Sequence, residues 1–72
     1  MIRVRLAILL AERGMKLRDL EAKTNIALNN LSILKTGKAK AIRFSTLSAI
    51  CDALDCQPGE LLEFQADKGD EQ

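Results

Sequence analysis

Over residues 2–6 apolar and charged side chains alternate, Ile2-Arg3-Val4-Arg5-Leu6, which is the period of a strand. From Leu6 onward the spacing changes to that of a helix, with Leu6, Leu9 and Leu10 on one side. The pattern predicts a first helix over about 6–13, ended by Gly14 in the left-handed cap position, with Met15 placed for the hydrophobic contact that accompanies such a cap. A second helix is predicted over about 17–24 with Leu17 and Leu20 inward, followed by Asn25, which tolerates positive φ and suits a tight turn. In a third helix, about 28–36, Leu31 and Leu34 share one side with Ala27 and Lys35 nearby. Asn29, Ile33 and Thr36 point the other way with Ser32 on the flank, leaving a far side that is polar, small and uncharged. Gly37 stops this helix as Gly14 stops the first.

Ser45 reads as the N-cap of a fourth helix over about 46–55, with Leu47, Ile50, Cys51 and Leu54 as its core stripe and Asp52 and Asp55 facing water. Pro58 suits the first position of a short last helix, "PGELL". Leu62 and Phe64 then alternate with Glu63, so residues 1–5 and about 62–65 are expected to pair as a two-stranded ribbon joining the termini, with the helical core behind it. The stretch 66–72 has no apolar periodicity and is expected to be disordered. The predicted class is all-α, five helices in one domain over residues 1–65, with the short ribbon as its only sheet.

Composition agrees with a small helical core. The chain has 72 residues, enough for one domain, and its aromatic residues are only Phe44 and Phe64. No apolar run approaches the roughly 18 residues that cross a bilayer. The arginine-containing start has an apolar stretch, residues 6–11, too short for a signal-peptide core, so a cytoplasmic location is expected.

The formal net charge of +1 conceals a polarity along the chain. Residues 1–43 carry ten Lys or Arg against three acids, a balance of +7, whereas residues 44–72 carry Lys68 against seven acids, a balance of −6. A fold that keeps the two parts on different faces presents a basic surface suited to phosphates; the alternative is that each helix simply has a solvated charged face.

Cys51 and Cys56 read as small buried apolar side chains. A closed zinc site needs four Cys or His ligands and the chain has no histidine, so neither a metal nor a cofactor is expected. With no histidine, no nucleophile elbow and no glycine-rich phosphate loop, an enzyme is not expected either.

Two short helices joined by a tight turn, the second closed by glycine and both flanked by further helices, make a helix-turn-helix arrangement. Residues 6–64 resemble the phage Cro and lambda-repressor type of helix-turn-helix proteins, the XRE superfamily. The stretch "NLSILKTGKAKAIRFSTLSAICDALDCQPGELLEF" is similar to small single-domain bacterial regulators of that superfamily. The matching positions are Leu20 in the first motif helix, Asn25 and Ile26 in the turn, Leu31 and Leu34 in the second, then Gly37, Leu47, Leu54, Pro58 and Leu61. Two positions depart from the pattern. Asn25 replaces the usual glycine of the turn, a mild change. Glu21 stands where the family usually has alanine facing the recognition helix, and is expected to tilt or loosen the helix pair.

The resemblance implies double-stranded DNA as the partner, with the helix at about 28–36 in the major groove. It puts the base-contacting positions on Leu28, Asn29, Asn30, Ser32 and Ile33, and the phosphate contacts at the start of the second helix and in the loop after the third. The side chains suit the parts. Asparagine pairs with adenine N6 and N7, Leu28 and Ile33 suit a thymine methyl, and the half-site is expected to lean toward A·T pairs. Lys16 and Arg18 at the entrance to the second helix, and Lys38, Lys40 and Arg43 after the third, are placed for phosphates. Arg3 and Arg5 either add to this field or are solvated charges on a terminal strand.

A protein-binding helix-turn-helix module, such as an antitoxin or the partner of another regulator, is the competing reading, because apolar Leu28 and Ile33 without an arginine beside them also suit a protein surface. A domain of this size reads one half-site, so a homodimer is expected, its contact at the ribbon edge or the last helix. No part of the predicted domain is set aside for a small-molecule effector, and none is expected.

Overall fold

The computed structural model describes residues 1–66; the tail expected to be disordered falls, from residue 67 on, outside them. The order of elements is β1 (Ile2–Val4), α1 (Leu6–Glu12), α2 (Leu17–Thr24), α3 (Leu28–Lys35), α4 (Phe44–Leu54), α5 (Pro58–Leu61) and β2 (Leu62–Phe64). The all-α domain of five helices with an antiparallel ribbon between the termini is what the periodicity predicts. The register pairs Ile2 with Phe64, Arg3 with Glu63 and Val4 with Leu62.

Why these segments are helices is visible in what they bury. Leu6, Leu20, Leu31, Ile50, Leu54 and Leu61, at least one from every helix, are sealed from solvent in a single core, with Leu9, Leu10, Leu34 and Cys56 around them. Among the described residues no polar or charged side chain is buried, so the core rests on aliphatic burial, about 1.5–3 kcal/mol for each fully buried leucine or isoleucine. α2 packs against both α3 and α4, and α1 also contacts α3. Leu17, Leu47 and Cys51, read as inward, are half-buried against this core.

The helix ends follow from backbone chemistry. Gly14 takes φ +63°, its N–H donating to the Ala11 carbonyl at 3.2 Å while Met15 N–H donates to Leu10 at 2.9 Å, and Met15 packs on the core as the cap requires. α4 departs from the expected bounds. It begins at Phe44, with Arg43 in the extended cap conformation and the Arg43 carbonyl accepting the Leu47 N–H at 2.9 Å, so Ser45 lies inside the first turn and caps nothing. Ile42, packed against the core, anchors the preceding loop and brings the chain into helix two residues sooner than the hydroxyl pattern implies. The far end of α4 uses a left-handed residue that is not glycine: Asp55 has φ 52°, and Cys56 N–H reaches back to the Cys51 carbonyl at 3.0 Å. Cys51 and Cys56 are both free thiols, and they occupy the two positions whose side chains meet in such a cap.

Arg13 closes the same helix end from a distance. Its Nε donates to the Leu54 carbonyl at 2.6 Å and its Nη2 to the Asp55 carbonyl at 3.5 Å, satisfying acceptors that α4 leaves without partners. Arg5 similarly donates from Nη1 to the Glu60 carbonyl at 3.4 Å. Two of the cations in the basic half of the chain are therefore tied to backbone and hold the fold.

Candidate nucleic-acid interface

The helix pair is set by three residues of α2 and its turn. The Thr24 hydroxyl donates to the Leu20 carbonyl at 2.7 Å and accepts the Ile26 N–H at 3.3 Å, spanning the bend. Asn25 supplies the left-handed step at φ 63°, its N–H donating to the Glu21 carbonyl at 2.8 Å. The Glu21 carboxylate then accepts the N–H of Leu28 at 3.2 Å. This corrects the expectation drawn from its departure from alanine. The side chain ties α2 to the open N-terminus of α3 instead of loosening the pair. At the start of α2, Asp19 Oδ2 accepts the Lys16 N–H at 2.9 Å in the same way. The Thr24 bridge was not anticipated from sequence, although a threonine directly before an asparagine turn is the local signal for it.

With Leu31 and Leu34 buried, α3 can turn only its other side outward. Asn29 and Asn30 are exposed, Ser32 is half-buried, and Leu28 and Ile33 stand 42% and 43% exposed, far more than core packing explains. Past Thr36 the chain turns at Gly37, φ +79°, with its N–H on the Leu34 carbonyl at 3.1 Å and Lys38 N–H on Ile33 at 3.1 Å. That turn brings the loop back along the helix. Asn30 and Ile33 share one cleft of about 360 Å³ with Lys38, Lys40, Arg43 and Thr46.

The other sequence-predicted positions lie outside this cleft. Leu28 and Asn29 occupy the first turn of α3, Ser32 its flank, Lys16 the N-cap of α2 and Arg18 its first turn, both exposed. Among the described residues the one ion pair joins Glu12 to Arg13, at 3.5 Å, so Lys16, Arg18, Lys38, Lys40 and Arg43 have no carboxylate partner there. Asp52 and Asp55 line a different cleft, with Phe44 and Pro58. Uncommitted cations beside amide side chains can bind anions along a backbone and hydrogen-bond base edges. Among the described residues no group of three or more His, Cys, Asp or Glu is placed to hold a metal ion.

A family model of the Cro/C1-type helix-turn-helix DNA-binding domain matches residues 5–67. The chain belongs to that family. It is 52% identical over 65 residues to the uncharacterized HTH-type transcriptional regulator YozG of Bacillus subtilis (strain 168), the match spanning 90% of this chain and 77% of that protein. No solved structure matches. The chain is thus a small helix-turn-helix regulator domain of the XRE type, and it is this membership, together with the open helix face, that sets it apart from an enzyme.

Proposed function

We propose that this Cro/C1-type domain binds double-stranded DNA sequence-specifically as a homodimer and acts as a transcriptional repressor in the cytoplasm. α3 lies in the major groove, where Leu28, Asn29, Asn30, Ser32 and Ile33 meet base edges. Lys16, Arg18, Lys38, Lys40 and Arg43 hold the flanking phosphates. One observation carries the reading: amide and apolar side chains of α3 share a cleft with three cations of the following loop, so readout and positioning groups face the same way. Asparagine with neighbouring aliphatics favours adenine and thymine methyl groups, which makes an A·T-leaning half-site the expected target.

The test is selection of bound duplexes from a random pool, followed by titration of the winner at several salt concentrations. An A·T-leaning consensus whose affinity falls steeply with salt supports the proposal. A G·C-rich consensus removes the base assignment, and an unenriched pool removes the DNA reading. In the latter case the exposed Leu28 and Ile33 favour the second reading, a helix face for another protein such as a toxin.

A further inference from the structure

Cys51 and Cys56 are the chain's two cysteines, and the end of α4 brings them together. Cys56 N–H donates to the Cys51 carbonyl at 3.0 Å, around Asp55 in its left-handed conformation. Standard bond lengths then keep the two Cα atoms within about 7 Å, and disulfides bridge Cα separations of about 4.4–6.8 Å. Side chains at these two positions of a helix cap turn toward each other. Their closeness also shows in ionisation: burial, and next to it the Cys51 side chain, push the Cys56 thiol up.

The two sulfurs differ in access. Both residues line a cleft of about 410 Å³ with Ser48, Asp52 and Gln57, but Cys51 is half-buried whereas Cys56 is only 8% exposed. A small polar oxidant entering from solvent meets Cys51 first. This cleft shares no lining residue with the one beside α3, so its chemistry does not depend on what α3 binds.

Arg13 holds the cap closed from outside. The carbonyls it grips, those of Leu54 and Asp55, both lie between the two cysteines. Its guanidinium charge also favours the Cys56 thiolate, against the other influences on that group.

We propose that Cys51 and Cys56 are a peroxide-reactive thiol pair that closes to an intramolecular disulfide across the end of α4. The proposal goes beyond the function proposed above and is independent of it. In the first step the Cys51 sulfur, as thiolate, attacks one oxygen of hydrogen peroxide. The O–O bond breaks, the leaving oxygen departs as water with the Cys51 proton, and Cys51 becomes a sulfenic acid. The Cys56 sulfur then attacks the Cys51 sulfur, the S–O bond breaks, and the hydroxide leaves as a second water with the Cys56 proton. Two thiols lose two electrons and one peroxide gains them. The bridge encloses the segment that Arg13 grips and restricts the unfolded chain, so it locks the joint between α4 and α5.

The test is intact-mass spectrometry of the full chain after exposure to hydrogen peroxide, with Cys51→Ser and Cys56→Ser alongside and circular dichroism to confirm folding. Wild type is expected to lose two hydrogens as a monomer, to become inert to alkylation, and to recover both thiols with a reductant. Cys56→Ser is expected to stop at a sulfenic acid that dimedone traps on Cys51, and Cys51→Ser to react about tenfold more slowly than wild type. A second measurement needs no variant. The equilibrium between the wild-type disulfide and glutathione, compared in buffer and in urea, should favour the bridge about tenfold more in the folded chain. The proposal is overturned by wild type that keeps both thiols, gains oxygen without forming the bridge, or links into covalent dimers. It is equally overturned by Cys56 reacting ahead of Cys51, or by a bridge no more favourable in buffer than in urea, which would mean that the native cap must open to join the sulfurs.

Discussion

Oε2 of Glu21, near the end of α2, lies 3.2 Å from the N–H of Leu28, the first residue of α3. The contact joins the two helices of the motif at the point where the second has unsatisfied donors and the positive end of its dipole. Ala27, which precedes Leu28, has no side-chain acceptor to do this locally. A residue seven positions upstream therefore does the work of an N-cap.

Glu21→Ala is expected to destabilise the domain by about 1 kcal/mol, the usual cost of losing a helix cap, with Glu21→Gln keeping most of the contact. Urea unfolding measures this. A change indistinguishable from that of an exposed substitution such as Lys23→Ala would show that the carboxylate does not hold α3.

The register of helices and ribbon was legible because Leu6, Leu20, Leu31, Ile50 and Leu54 mark inward faces at helical spacing, and because Gly14 and Gly37 mark ends that need positive φ. What the sequence concealed depends on contacts between residues far apart. Glu21 reads as a misfit until Leu28 N–H is brought opposite it, and Arg13 reads as one more surface cation until it is seen on the Leu54 carbonyl, 41 residues away. The start of α4 was misplaced for the same reason, since local cap preference favours Ser45 while the packing of Ile42 sets where the loop must end. At the interface, residue types and spacing pointed to the outer face of α3, but that Asn30 and Ile33 share a cleft with Lys38, Lys40 and Arg43 follows from the turn at Gly37.

Gly37 should resist substitution for a purely conformational reason. A Cβ there meets nothing within 4 Å, so a loss on Gly37→Ala cannot come from a clash, and the φ of +79° alone should cost about 1 kcal/mol. Thermal unfolding checks the magnitude, and a neutral substitution would mean that the cap relaxes without penalty.

Stability should fall at alkaline pH through one thiol. Burial pushes the Cys56 thiol above its ordinary value of 9.0, the neighbouring Cys51 and Glu60 add to the shift, and Arg13 opposes it. Once the pH passes the thiol's ordinary value, the unfolded chain loses this proton while the folded chain keeps it, so the unfolded state binds fewer protons and stability declines as pH rises. Cys56→Val, which keeps an apolar side chain, should flatten the profile above about pH 9 relative to wild type. Parallel curves for the two proteins would exclude Cys56 as the source.

Arg13 and Lys38 should separate cations that hold the fold from cations that hold DNA. Arg13 Nε is 2.6 Å from the Leu54 carbonyl, whereas Lys38 is exposed and lines the cleft beside α3. Arg13→Gln is therefore expected to lower stability by about 1 kcal/mol, the value of a partly exposed charged hydrogen bond, and to leave the salt dependence of DNA affinity unchanged. Lys38→Gln should do the reverse, leaving unfolding unaltered while weakening binding to all sequences alike and reducing the slope of log affinity against log salt by about one. The same proteins can be titrated with the selected duplex and with a scrambled one. If Arg13→Gln reduces the salt slope and Lys38→Gln does not, the phosphate contacts lie on the α1 side of the domain, and the cleft beside α3 is not where the duplex runs.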